Sequence, residues 1–316
     1  MSGEAALGGE RAGLRRSAPL WRRLAGGGKA ARGRPYALFV APALALMAAV
    51  IVFPWLFTGF MSVHDWKLSQ ARSFAGLDNY VRLLGDERFQ WAAVRTLYYT
   101  VLAVVAPLVL GTVAALIFHR RFPFRGFLRG VFILPMMATP VAVGLVWTMM
   151  FHPQLGVLNY LLSRVGIPPQ LWVYDPQTVI PSLVMVETWQ WTPLVMLIVL
   201  GGLAALPTEP YESAQLDGAS SWQMFRHITF PLVLPFLMVA AIIRTIDAVK
   251  SFDIIFVISQ GGPGTASETL NIFLYLQAFA FYDIGYASAV VAVFFALIVL
   301  LSMTLLYVRQ RTQWSP

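Results

Sequence analysis

The sequence predicts an all-α integral membrane protein with six transmembrane helices and both termini cytoplasmic, and three observations carry that prediction. Hydrophobic residues make up 58% of the 316-residue chain and charged ones 12%, with a mean hydropathy of +0.67, which is too apolar for a soluble domain of this length. Apolar runs long enough for about 30 Å of hydrocarbon, at about 20 residues each, fall near 36–61, 96–118, 127–151, 180–205, 230–249 and 286–308. Positive charge recurs on alternate connections between these runs, the bias that sets orientation. Six spans without a large soluble insert amount to one membrane domain, residues 36–308, with no room for a catalytic domain.

Residues 1–35 carry Arg11, Arg15, Arg16, Arg22, Arg23, Lys29, Arg32 and Arg34 against Glu4 and Glu10, so this stretch holds +6 of the formal +8. Rich in Gly and Ala with few apolar anchors, it reads as a disordered cytoplasmic tail. Its charge serves as a topology signal or touches anionic lipid, and a nucleic-acid partner is not implied. The first run, Tyr36 to Met61, exceeds a signal-peptide core and no small-x-small site closes it, so it stays as a signal anchor.

The connection 62–95 is the exception to the charge pattern, with Lys67, Arg72, Arg82, Arg88 and Arg95 nearly balanced by Asp65, Asp78, Asp86 and Glu87. After the second run come His119, Arg120, Arg121, Arg125 and Arg129, Arg226 follows the fourth, and Arg309 and Arg311 open a short tail at 309–316. The connections 152–180 and 250–285 carry only Arg164 and Lys250. Pro42, Pro54, Pro107, Pro135, Pro140, Pro193 and Pro235 lie in or beside the runs and predict several kinked helices.

Enzymatic and metal chemistry find little footing. The chain has no cysteine, which excludes disulfides and cysteine-ligated metals. His64, His119, His152 and His227 are scattered without ligand spacing. No Ser/His/Asp or paired-carboxylate arrangement stands out. The one Gly-Lys pair, Gly28-Lys29, is followed by Ala30 and has Arg23 at the place of the first phosphate-loop glycine, so the chain does not bind ATP by that motif. No cofactor is expected.

Polar residues inside the spans are the remaining candidates. The fourth run contains Glu187, Trp189, Gln190, Trp191 and Pro193, and the fifth carries Arg244 and Asp247, followed by Lys250 and Asp253. A carboxylate facing lipid costs about 2.5–3.5 kcal/mol, so Glu187 should face protein or a watery cavity. The recurrence 244, 247, 250, 253 reads as a polar stripe winding along one helix. With Trp147 at the end of the third run, Glu187, Trp189, Gln190, Arg244, Asp247, Lys250 and Asp253 form a candidate path for a sugar, whose hydroxyls suit carboxylates and amides and whose C–H faces suit Trp. The competing reading makes Arg244 and Asp247 a structural ion pair and the Trp residues interfacial anchors. Trp55, Trp66 and Trp172 read as such anchors.

Between the fourth and fifth runs lies a polar, turn-rich island, EPYESAQLDGASSWQMFRHITFP, with the spacing E-x-A-x3-G-x9-I-x-F-P over Glu212, Ala214, Gly218, Ile228, Phe230 and Pro231. It resembles the EAA loop of permeases in binding-protein-dependent ABC importers, with Ser213 and Phe230 departing mildly from the commonest residues. The match implies a first short helix over Pro210 to Asp217, a left-handed turn at Gly218 and a second helix from Ser220 towards His227. FAGLDNY at 74–80, ILPMMATPVAVGLVW at 133–147, GVLNYLL at 156–162 and SQGGPGTASETL at 259–270 also look like the sugar-type, maltose-like members.

The resemblance implies the fold of a type I importer transmembrane domain in a bacterial or archaeal cytoplasmic membrane. It also implies a second, different permease subunit, two cytoplasmic ATPase subunits, an extracytoplasmic binding protein and a small carbohydrate or polyol substrate. ATP hydrolysis would then lie on the separate ATPase subunits, docked at residues 207–231 through Tyr211, Glu212, Ala214, Asp217, Gly218, Ile228 and Pro231. Gly261-Gly262-Pro263-Gly264 would be a plain extracellular turn or a contact for the binding protein. The rival readings are an ion-gradient-driven secondary transporter with Asp247 or Glu187 carrying protons, and a membrane scaffold or intramembrane enzyme.

Overall fold

The computed structural model of the chain describes residues 33–68 and 70–312. Most of the basic stretch 1–35, and residues 313–316, lie outside them. The chain divides into two compact units, residues 1–57 and 58–316.

Helix α1, Gly33–Ser62, begins three residues before the expected span and continues through Pro42 and Pro54. In the second unit a two-residue antiparallel pair, β1 (His64–Asp65) with β2 (Ser73–Phe74), precedes helix α2 (Asp78–Gly85). Asn79, within FAGLDNY, donates from Nδ2 to the Ser62 and His64 carbonyls at 3.0 and 2.9 Å. This buried amide holds a backbone turn that the periodicity of apolar residues does not encode.

Helix α3 (Glu87–His119) crosses uninterrupted past Pro107, and Asp86 caps its start by accepting from the Arg88 and Phe89 backbone N–H groups. The third expected span, 127–151, is not one helix. It is α4 (Arg125–Met137) and α5 (Pro140–Met150), bent by 96°. The cause is local: Pro140 has no N–H to donate and pushes Thr139 into extended backbone, φ −68 and ψ 140. Helix α6 (Val157–Arg164) lies in the next connection, where buried Asn159 of GVLNYLL bonds the Pro153 and Gln170 carbonyls and accepts from the Trp172 indole N–H. Trp172 is thereby tied into this loop through its indole N–H.

Helix α7 (Val179–Ala204) is the most enclosed of the long helices and runs through Pro193 without a break. Its broadest packing is against α3, and α4 also rests on it. Gly111 on α3 makes the approach close, since a Cβ there would stand 2.6 Å from Val195 Cβ. Helices α8 (Glu209–Leu216) and α9 (Ser221–Met224) form the polar island. A π turn, Phe225–Thr229, joins α9 to α10 (Phe230–Val249), giving one helical rod over Ser221–Val249. The wider turn suits Pro231, which cannot donate to the His227 carbonyl and would crowd it in a regular α-turn.

Short helices α11 (Asp253–Ile258) and α12 (Leu270–Tyr275), with a π turn at Leu276–Ala280, lead to α13 (Ile284–Thr312), which passes the expected end of the last span. Among the described residues five helices are long and apolar enough to cross a membrane, or six if α4 and α5 count as one.

Candidate functional site

Three helices and one turn residue bring polar side chains to a common point. Glu187 on α7 is buried; its Oε1 accepts from the Tyr99 hydroxyl of α3 at 2.8 Å and from Ser251 Oγ at 2.9 Å. Its Oε2 accepts from Arg244 Nη2 of α10 at 2.9 Å. Arg244 is fully buried, donates from Nη1 to Asp247 Oδ2 and lies 4.8 Å from the Trp191 ring centroid. Each charge thus has a partner of opposite sign and both Glu187 oxygens are bonded, which offsets much of the cost of burying them, while Arg244 Nε is left without a partner. The network ties α3, α7 and α10 together.

Beside it opens a polar cavity of about 270 Å³ lined by Glu187, Trp191, Asp247, Lys250, Phe252 and Asp253, among others. Asp247 lies at its rim with 45% of its side chain exposed, whereas Arg244 stands behind the wall. Half of the expected path residues, Glu187, Asp247, Lys250 and Asp253, meet here. The single-helix stripe does not exist, because α10 ends at Val249 and Asp253 opens α11. The chain turns at 250–252, which wraps the later charges around the cavity rather than along a helix.

The other candidates lie elsewhere. Gln190 is buried and donates from Nε2 to the Ala138 carbonyl at 3.1 Å, at the break between α4 and α5. Trp147 is buried in the core, and half-exposed Trp189 meets it edge-on at 5.8 Å. Sequence reasoning passed over Tyr99 and Ser251. Both are neutral hydroxyls among many, and only the pairing of α3 with α7 makes them partners of Glu187. Trp191, rather than its neighbours Trp189 and Gln190, lines the cavity, because adjacent positions in a helix point about 100° apart.

The polar island is built with defined caps. Glu209 and Glu212 stand in the first turn of α8, where negative charge suits the helix dipole. At its other end the Ala219 N–H bonds the Ala214 carbonyl at 2.9 Å and Gly218 N–H the Gln215 carbonyl at 3.1 Å. This is a Schellman closure, and Gly218 takes φ +75 as that closure requires. Ser220 and Gln223 then form a reciprocal capping box that starts α9.

The Tyr211 hydroxyl donates to Thr229 Oγ1 at 3.1 Å, fastening α8 to the π turn. Ala214, Asp217, Gly218 and Ile228 border one hollow of about 320 Å³. Tyr211 and Trp222 line another of about 820 Å³. Glu212 is exposed, and Pro231 is the second residue of α10. The first helix and the left-handed turn fall where expected to within a residue. The second helix does not end near His227, since the π turn carries it on into α10.

Residues 108–313 match the family described as binding-protein-dependent transport system inner membrane component. The chain is 35% identical over 273 residues to a probable ABC transporter permease protein, y4oQ, of Sinorhizobium fredii, covering 85% of this chain and 88% of that protein. It is 35% identical over 276 residues to the trehalose/maltose transport system permease protein MalF of Thermococcus litoralis, covering 86% and 92%. Its fold is similar to a chain in the crystal structure of a bacterial alginate ABC transporter in complex with an alginate pentasaccharide-bound periplasmic protein. The TM-score is 0.78 at 20% identity, over 92% of this chain and 97% of that one.

Proposed function

We propose a function from one premise: the chain belongs to the family of binding-protein-dependent transport system inner membrane components. It is the membrane-spanning permease subunit of an ABC importer for a carbohydrate or polyol. Its domain, about 36–308, has six spans with both termini cytoplasmic. It pairs with a second permease, takes substrate from an extracytoplasmic binding protein, and docks a cytoplasmic ATPase at the island 207–231. Glu212, Ala214, Asp217, Gly218 and Ile228 meet the ATPase, while Tyr211 and Pro231 brace the island. The cavity with Glu187, Asp247, Lys250 and Asp253 lies on the substrate path.

One observation carries this reading: the island and the cavity are the two ends of one rod. Helix Ser221–Val249 starts two residues after the hollow's Ala219 and ends beside Asp247 and Lys250. At 1.5 Å per residue such a helix spans about 40 Å, so a push at the island is delivered to the cavity without passing through a loop. A sugar fits the cavity's chemistry because Asp247, Lys250 and Asp253 offer acceptors and donors at its mouth and Trp191 offers an aromatic face.

The test is ATP hydrolysis by the reconstituted assembly, with and without binding protein and candidate sugars, for the wild type and Gly218→Asp. Stimulation by one sugar that the variant loses while still assembling supports the reading. Transport by this chain alone down an ion gradient, with no ATPase co-purifying, sinks it in favour of a secondary transporter.

A further inference from the structure

Arginines crowd the connection that follows α3 and the first turns of α4. Arg82, Arg88 and Arg244 each meet a carboxylate within 4.0 Å, whereas no described carboxylate comes that close to Arg121, Arg125 or Arg129. Those three surround a cleft of about 630 Å³ whose opposite wall is apolar, formed by Phe118 of α3 and Leu197, Leu200 and Gly201 of α7. Arg125 reaches the His119 and Arg120 carbonyls only at 3.5 and 3.4 Å, and Arg129 Nη2 reaches that of Phe118 at 3.4 Å. Arg129 Nε is buried with no partner at all. The cleft also sits where the apolar run of α3 gives way to charge, the depth of lipid headgroups in a spanning helix.

We propose that this cleft binds the phosphodiester of an anionic phospholipid, with Arg125 and Arg129 on the phosphate and an acyl chain along Leu197, Leu200 and Gly201. Guanidinium groups suit phosphate oxygens because they present paired donors and remain charged. A soluble anion would use the same cations but has no need of the apolar wall. A topology signal, in turn, needs charge but not a cleft. Gly201 is the diagnostic position, since a Cβ there meets nothing within 4 Å. A side chain at Gly201 therefore starts from open space at the cleft wall.

The experiment uses the complete transporter purified in mild detergent, exchanged into mixtures of phosphatidylglycerol and phosphatidylcholine, with retained lipid read by native mass spectrometry. The wild type should retain phosphatidylglycerol selectively. Arg125→Gln with Arg129→Gln should weaken that retention about 30-fold, taking ~1 kcal/mol per arginine. Gly201→Leu should abolish it with all charges in place, and Arg164→Gln, outside the cleft, should leave it unchanged. Equal retention in wild type and Gly201→Leu overturns the site. Binding of inorganic phosphate in the wild type, with no lipid preference, overturns the lipid and leaves a free-anion site.

Discussion

Arg244 is the largest of the side chains buried without residual exposure, and its placement inside an apolar helix makes sense only through its partners. A buried ion pair contributes little net stability, yet removing one member leaves a charge that nothing solvates. Arg244→Met, which keeps most of the volume, should therefore destabilise the protein by about 3–5 kcal/mol, as should removal of Glu187. The double variant Glu187→Gln with Arg244→Met should cost well below the sum, because no uncompensated charge remains. Denaturation of the purified assembly in detergent measures all three, and strict additivity would refute the pairing as the reason Arg244 is there. Sequence alone exposed this site through the rule that intramembrane charge is never idle, which singled out Glu187, Arg244 and Asp247. It could not reveal Tyr99 or Ser251, whose hydroxyls matter only because α3 and the turn after α10 bring them within 3 Å of Glu187.

At the level of helices, the apolar runs marked most of the long elements to within a few residues, because about twenty apolar residues have few other uses, although α3 begins at Glu87, well before its run at 96–118. The short ones escaped: α2, α6, α11 and α12 are too brief to display a period. The break at 138–139 also escaped, although its prolines were visible. A proline inside a helix and a proline starting one look alike until the preceding residue's backbone is known, and Pro107 and Pro193 sit in unbroken helices while Pro140 begins one. Glycines separate in the same way. Gly111→Val should drive α3 and α7 apart, because its Cβ would meet Val195 Cβ at 2.6 Å and the Met196 backbone nitrogen at 3.0 Å. The expected cost is about 1–3 kcal/mol. Gly130 in α4 has open space around it, so Gly130→Ala should stabilise by up to about 1 kcal/mol through helix propensity. Thermal shifts of opposite sign are the expected result, and a harmless Gly111→Val would mean the α3–α7 contact is looser than its geometry.

Across the whole molecule, the charge pattern had one dissenting connection, 62–95, and its packing explains the dissent. Arg88 makes a bidentate bond to Glu268 at 2.8 and 2.7 Å, and Asp283 takes Arg82 at 2.9 Å and Lys67 at 3.9 Å. Three of its five cations, Lys67, Arg82 and Arg88, are therefore paired with carboxylates of the 250–285 connection, with Glu268 and Asp283 themselves buried. Neutralised in this way, those three no longer argue for the cytoplasmic side, and the two connections must share a side to make these bonds. The parity of the remaining crossings then depends on α4 and α5. If the bent pair crosses the membrane, residues 123 and 154, on either side of it, face opposite compartments; if it re-enters, they face the same one and the spans number five. The absence of native cysteine makes the distinction direct. With Pro123→Cys and Gln154→Cys in otherwise unchanged chains, a membrane-impermeant maleimide should label Gln154→Cys in intact cells and Pro123→Cys only after permeabilisation. Labelling of both from one side would remove the sixth span and place the two termini on opposite faces. It would also contradict the packing of α3 and α7, because His119 at the end of one and Ala204 at the end of the other line the same cleft and so lie on one side of the membrane.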